Sequence, residues 1–180
     1  LRNYYTSKEK KELLESMVII IDSAEKKIDH ILKYFKSHHV NYKVRKLAYG
    51  DYSYYLPKNP EMGISKDLWA DDEVVVERKA HLSELARNFS GGRERFEHEL
   101  FRSRTTRFYL MIEDGTMDKI VRNDYKGDYT VESYIATLFT FQSRYNFSFD
   151  FLDKKYAGLF ILRTMKYHLR EKLKCYSDVE

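Results

Sequence analysis

Residues 74–79 read Val-Val-Val-Glu-Arg-Lys, three β-branched residues followed at once by three charged ones. Valine packs well on a pleated surface, and an unbroken apolar run this short, bounded by charge, is the pattern of a strand covered on both faces. Upstream, Met17-Val18-Ile19-Ile20-Ile21 is a second such run, too short for a helix, and it delivers Asp22 at its C-terminal end. Between them, Val40, Tyr42 and Val44 alternate with Asn41, Lys43 and Arg45, the period of a half-buried strand. Gly50-Asp51 interrupts, Tyr52 to Leu56 resumes an extended pattern until Pro57 and Pro60, and a loop runs through Gly63. Downstream, Phe108 to Ile112 and Phe147 to Leu152 complete the strands. The helices interleave with them. Thr6-Ser7-Lys8-Glu9 is a capping box opening a short charged helix. Ile28, Ile31, Leu32 and Phe35 share one face of a helix from about Ser23 to His38. Leu82, Leu85, Ala86 and Phe89 mark another, broken at Gly91-Gly92. A segment carrying Phe96, Leu100 and Phe101 runs to about Arg104, Thr130 caps a helix to about Tyr145, and Tyr156 to Lys174 is the last. This order predicts an α/β fold, a central mixed sheet with helices on both faces.

Composition narrows the function classes. At 180 residues and 43% hydrophobic, the chain supports one well-buried core. The expected division is a charged helical extension over residues 1–16 and one domain over 17–180. No apolar window is long enough to span a bilayer, and residues 1–15 are too polar for a signal peptide, so a soluble intracellular protein without a membrane partner is expected. The single cysteine excludes an internal disulfide and a multi-cysteine zinc site. The net charge of +4 is modest, but it is concentrated: Arg78 to Arg107 carries eight Lys/Arg and four Asp/Glu, and the remainder sums to zero. That stretch predicts a basic face. No G-x-x-x-x-G-K-[ST] loop is present, which excludes an attached motor of that type.

The chemistry centres on three residues. Glu77 and Lys79, two apart on a strand, project from the same face. Asp51 meets them from a strand predicted to adjoin theirs. Two hard carboxylates with a cation beside them are what a Mg²⁺-dependent phosphodiesterase needs, since Mg²⁺ binds few protein oxygens, keeps waters and polarises phosphate. The lysine can orient or help deprotonate the attacking water and stabilise transition-state charge. An exposed strand edge with a solvated ion pair is the competing reading of the same three residues.

The longer pattern separates the two. Ile20-Ile21-Asp22, then Gly50-Asp51-Tyr52, then Val-Val-Val-Glu-Arg-Lys, then Gly92-Arg93 resembles the ERCC4-type nuclease domain of the XPF/Mus81 structure-selective endonucleases, in the manner of stand-alone phage-type members. The resemblance covers about Met17 to Glu113. It implies a restriction-endonuclease-like core that hydrolyses DNA phosphodiesters with Mg²⁺ or Mn²⁺, as an endodeoxyribonuclease acting on branched, flapped or forked DNA in recombination, repair or mobile-element replication. By the same resemblance, Asp22, Asp51, Glu77 and Lys79 are the catalytic set, with Asp22, Glu25, Asp51 and Glu77 as metal ligands. Ala24 stands where the family's D-x-R-E has arginine, and Ser83 where an acid follows E-R-K, with Glu84 one position later. A catalytically silent DNA-binding or adaptor domain of the same fold is the alternative that the resemblance leaves open. Cytoplasmic, DNA-associated localisation follows, with DNA as partner and targeting supplied by this domain, a homodimer mate or a separate protein.

Several residues carry two readings. Asp22 fits both metal ligation and a cap on the following helix. Glu25 fits a first-turn acid as well as a ligand. Arg78 points away from Glu77 and Lys79, toward a structural ion pair, although it is also a candidate DNA contact together with Arg93, Arg95 and Arg102. The six histidines read as surface residues. Of the sixteen tyrosines, Tyr4-Tyr5 and Tyr54-Tyr55 are candidates for stacking on unpaired bases, against sheet packing as the ordinary role.

Overall fold

In the computed structural model, which describes residues 1, 2 and 4–175, Val74–Lys79 forms strand β5 and is buried at all six positions. Before it in the chain come helix α1 (Ser7–Ser16), strand β1 (Val18–Ile21), helix α2 (Asp29–Ser37) and strands β2 (Tyr42–Val44), β3 (Tyr52–Leu56) and β4 (Leu68–Trp69). After it come helices α3 (Leu82–Phe89) and α4 (Arg93–Arg102), strand β6 (Arg107–Glu113), helices α5 (Met117–Val121) and α6 (Val131–Tyr145), strand β7 (Ser148–Leu152) and helix α7 (Ala157–Cys175). The strands form one mixed sheet in the order β2-β1-β3-β5-β6-β7, with β4 paired to β3. β1 runs parallel to β2 and antiparallel to β3, β3 is antiparallel to β5, and β5, β6 and β7 are mutually parallel.

Strand alternation sorts the core onto two faces. Ile19, Ile21, Tyr52, Tyr54, Val74, Val76 and Met111 pack with Leu13 of α1, Ile31 and Phe35 of α2 and Ile161, Met165 and Leu169 of α7. Val75, Leu110 and Ile112 pack on the opposite face with Leu85, Phe89, Phe96, Tyr134, Leu138 and Phe141 of α3, α4 and α6. Each such side chain contributes roughly 1.5–3 kcal/mol by leaving water. On the second face Phe89 sits among Phe96, Tyr134 and Phe141 with ring centroids 6.2, 5.3 and 5.7 Å away, which locks α4 and α6 to α3. Residues 1–16 share the first core through Tyr5 and Leu13. Their helix begins as expected, with Thr6 accepting the Glu9 N–H and Glu9 accepting the Thr6 N–H.

Two expectations are corrected. The helix expected from Ser23 starts at Asp29. Residues 23–28 turn instead, because the Asp22 carboxylate accepts the Ala24 N–H at 2.7 Å and Lys27 takes a left-handed φ of 55°, which no α-helix accommodates. The strand at residues 42–44 is exposed throughout rather than half-buried, since as an edge strand it has a sheet neighbour on one side only. Two short elements, β4 and α5, carried too little periodicity to be read. Among the described residues no helix is long and apolar enough to cross a membrane.

Candidate active site

The antiparallel registers pair Ile21 with Tyr52 and Tyr52 with Val76. One residue further along each strand, Asp22, Asp51 and Glu77 fall in a single row across β1, β3 and β5. The backbone ties this row together: the Asp22 N–H donates to the Asp51 carbonyl at 2.7 Å and the Asp51 N–H to the Val76 carbonyl at 2.9 Å. Directly opposed residues share a face. Glu77 therefore projects from the face that carries Val75 and the second core, with Asp51 beside it, at the end of the sheet where the apolar runs stop, and Asp22 follows in the same backbone row. Gly50 makes this possible. Its φ is +69°, and a Cβ there would lie 2.8 Å from the Val75 Cβ, so only glycine admits the turn that sets Asp51 in the row.

Lys79 joins them as its spacing predicts. Its ammonium is 2.5 Å from Glu77 Oε1 and lies 5.0 Å from the centroid of Phe96, with both partners of the ion pair buried. Burial pushes the Glu77 carboxyl up, against the pull of the Lys79 ammonium and with Glu99 adding to the rise, to about 7. For Lys79, burial alone would lower the pKa, but the Glu77 carboxylate outweighs it and the ammonium is held above its ordinary value. Burial, followed by the nearby Glu77 and Glu25 carboxylates, holds Asp51 well above the usual carboxylate range. Negative charge is thus crowded and dehydrated at this point of the sheet, and one lysine does not neutralise it.

The opposite face holds a second polar cluster. Arg78, alternating away from Glu77 and Lys79, places its guanidinium on Glu113 with Nε–Oε1 at 2.8 Å and the second amino group to Oε2 at 2.9 Å. Its other amino group donates to Glu25 Oε1 at 2.9 Å, which also accepts the Tyr52 hydroxyl at 3.1 Å. His30 Nε2 lies 2.7 Å from Glu113 Oε1. The two clusters meet in the main chain, because the Arg78 N–H donates to Asp51 Oδ2 at 2.7 Å.

Several sequence readings change here. Asp22 is no helix cap, since its oxygens accept the Ala24 and Leu47 N–H groups, each at 2.7 Å, with Lys46 Nζ at 3.9 Å. Glu25 is outside any helix and spends its Oε1 on Arg78 and Tyr52. Arg78, counted above among DNA contacts, is buried and committed to carboxylates. His30 is not a free surface residue, and Tyr54 is buried with its hydroxyl 3.0 Å from His168 Nδ1. Tyr55 stacks on Trp69. Of the arginines on α4, Arg93 lies 3.6 Å from Glu97 and over the Phe141 ring, while Arg95 and Arg102 are exposed and without an ion pair among the described residues. Sequence reasoning gave no site role to Glu113 or to Glu99. Glu99 Oε1 instead accepts the Gly50 N–H at 3.0 Å. The only sequence signal for Glu113 was a charged residue ending an apolar strand.

Among the described residues, no group of three or more His, Cys, Asp or Glu side chains is gathered closely enough to hold a metal ion. Mg²⁺ asks for less, one or two carboxylates with water and substrate oxygens completing the shell. Asp51 and Glu77, side by side at the ends of neighbouring strands and both raised chiefly by burial, with the Glu77 carboxylate adding to the rise at Asp51, supply that donor set, so the residues present fit a hard divalent cation.

The family model described as the ERCC4 domain matches residues 21–158. Two solved structures are similar over most of the chain. XPF from Aeropyrum pernix is 19% identical with a TM-score of 0.60, covering 84% of this chain and 61% of that one. XPF from Aeropyrum pernix in complex with DNA is 19% identical with a TM-score of 0.58, covering 90% of this chain and 68% of that one. The first comparison therefore spans less than two thirds of the relative's length. At this identity the likeness shows the fold, a restriction-endonuclease-like core. No protein of curated function matches the chain.

Proposed function

The chain belongs to the ERCC4 domain family, and on that premise we propose that it is a Mg²⁺- or Mn²⁺-dependent endodeoxyribonuclease selective for branched, flapped or forked DNA, serving recombination, repair or mobile-element replication. The observation that supports this reading best is Asp51 and Glu77 meeting at the ends of β3 and β5 with the Lys79 ammonium 2.5 Å from Glu77. Asp51 and Glu77 would hold the cation, with Asp22 at the end of the same row. Bound there, the metal supplies Lewis acidity toward a phosphate oxygen and lowers the pKa of an attacking water.

The protein's own groups do the rest. Lys79, kept charged by Glu77, stands where it can orient the water and offset negative charge as it builds on the phosphorus. The hydrophobic wall of Phe96 beside it lowers the local dielectric and strengthens that interaction. Arg95 and Arg102, with Arg93 nearby, offer phosphate contacts on α4, which position DNA without reading its sequence. Glu25 reaches the site through the Arg78 network. Residues 17–180 act as the nuclease domain, with α1 as an extension docked on it, and a homodimer mate or a separate protein contributes targeting.

Incubating purified protein with flap, fork and linear duplex DNA, with and without Mn²⁺, tests this reading. Metal-dependent cutting that favours the branched substrates is expected. A folded protein that binds these DNAs and cuts none of them is an adaptor, and the nuclease reading fails.

A further inference from the structure

Helix α4 reaches the site at Phe96, beside the Lys79 ammonium, and at Glu99, beside the turn that precedes Asp51. Glu99 Oε1 accepts the Gly50 N–H at 3.0 Å, across 49 positions of sequence. The bond falls on the residue whose backbone the row can least spare: Gly50 holds a left-handed φ of +69°, is jammed against Val75, and is followed at once by Asp51. Asp51 is then fixed by its own N–H to Val76 and by the Arg78 N–H on Oδ2. Upstream, Tyr49 is tied by its hydroxyl to Thr106 Oγ1 at 2.7 Å, so without Glu99 the turn keeps its flanking anchors while the Gly50 N–H itself loses its partner. Glu99 also stands between Arg95 and Arg102, one helical turn to either side on the same stripe of α4. The arginines proposed to grip phosphate and the acids proposed to cut it are thereby linked through the Glu99 hydrogen bond, in addition to the packing of Phe96 beside Lys79.

We propose that Glu99 is a positioning residue: its hydrogen bond to Gly50 sets the Gly50-Asp51 turn and fixes the distance between the arginine stripe of α4 and the acid row. It acts through Asp51 and the helix and touches neither substrate nor metal. The inference rests on the nuclease reading above, and goes beyond it by adding a residue from outside the acid row.

The chemistry of the bond separates this role from a purely electrostatic one. Glutamine at position 99 keeps an acceptor oxygen for the Gly50 N–H and removes the charge that faces Glu77, whereas alanine removes both. In a cleavage assay on a flap substrate with Mn²⁺, Glu99→Ala should lower kcat by about 10- to 100-fold, the scale of a misplaced catalytic group. KM for DNA should change little, because Arg95 and Arg102 remain. Glu99→Gln should recover most of that loss. Amide hydrogen exchange provides a readout independent of activity: protection at Gly50 should fall in Glu99→Ala and persist in Glu99→Gln, while protection in the β5 and β6 strands stays unchanged in both. An active wild type whose Glu99→Ala variant keeps kcat and Gly50 protection overturns the proposal. Equal loss in the two variants also overturns it, since charge and not the hydrogen bond would then matter. A wild type that cuts no DNA sinks the nuclease reading, and this inference with it.

Discussion

Arg78 and Glu113 close a two-point ion pair across the parallel strands β5 and β6, with bonds of 2.8 and 2.9 Å and the Glu113 side chain fully withdrawn from solvent. The pair lies directly behind the acid row, and the backbone of the same arginine holds Asp51 in front of it. A buried guanidinium with its carboxylates in place is tolerable, but one deprived of its main partner is not. That asymmetry makes the back of the site as consequential as its front.

Glu113→Ala should therefore destabilise the protein by about 3–5 kcal/mol, the scale for removing one partner from a buried ion pair. The urea midpoint should fall with an unchanged slope. His30→Ala, which removes only the outer contact to Glu113, should cost much less. A loss under about 1 kcal/mol in Glu113→Ala, against that expectation, would mean that Glu25 alone satisfies Arg78.

Chemistry and binding should separate at Glu77 and Lys79. Glu77→Gln, which removes a proposed metal-holding charge, and Lys79→Ala, which removes the cation opposing charge on the phosphorus, should each reduce cleavage by about 100-fold or more, the range for losing one group that stabilises transition-state charge. Fluorescence anisotropy should show DNA affinity largely retained, because the basic residues of α4 are untouched. Asp22→Asn, at the end of the row, should have a smaller effect than either. Parallel loss of affinity and cleavage in Glu77→Gln would assign that residue a folding or docking role instead.

The metal-free protein should lose stability as pH rises through the titration of its buried acids. Glu77 is raised from the ordinary glutamate value of 4.5 to about 7, and Asp51 is raised as well. A carboxyl whose folded pKa exceeds its unfolded one binds more protons in the native state, so its stabilising effect is complete below pH 4.5 and is lost as pH climbs through about 7. Thermal unfolding across pH 4.5 to 8 should show this decline against a Glu77→Gln control lacking the group. Mn²⁺ should offset the decline increasingly toward high pH, since a metal competes with protons for the same carboxylates. A wild-type curve parallel to the control would place Glu77 in an ordinary environment.

On α4 the arginines should not contribute alike. Arg95 and Arg102 are exposed and without an ion pair among the described residues, whereas Arg93 is engaged with Glu97 and Phe141. Reversing both Arg95 and Arg102 to glutamate should weaken binding to all DNA sequences and flatten the plot of log affinity against log salt by roughly 0.9 per lost duplex contact. Arg93→Ala should change the slope less. Wild-type affinity and slope in the double reversal would move the DNA path away from this helix.

Residues 74–79 and 17–21 announced themselves as buried strands because an apolar run needs no particular partner to be worth burying. Strand alternation then dictated which side chains share a face. Those two rules give in advance the shared face of Glu77 and Lys79 and the opposite orientation of Arg78, whereas the approach of Asp51 rests on the expected adjacency of its strand and on the family resemblance, and the break at Gly91-Gly92 on the poor fit of paired glycines in a helix. The structure alone decided what lies within reach of that core. Glu113 meets Arg78 from 35 positions away through the register of two parallel strands, and Glu99 meets Gly50 only because an aromatic cluster seats α4 over the sheet. The late start of α2 is partly of the same kind: besides the local Asp22–Ala24 bond, Glu25 in that turn is held by Arg78 and Tyr52 from 53 and 27 positions away, where local periodicity favoured a helix. Local pattern carries the preference of a segment for strand or helix and for inside or outside. The partner of a polar side chain depends on packing between distant segments, which no local pattern encodes.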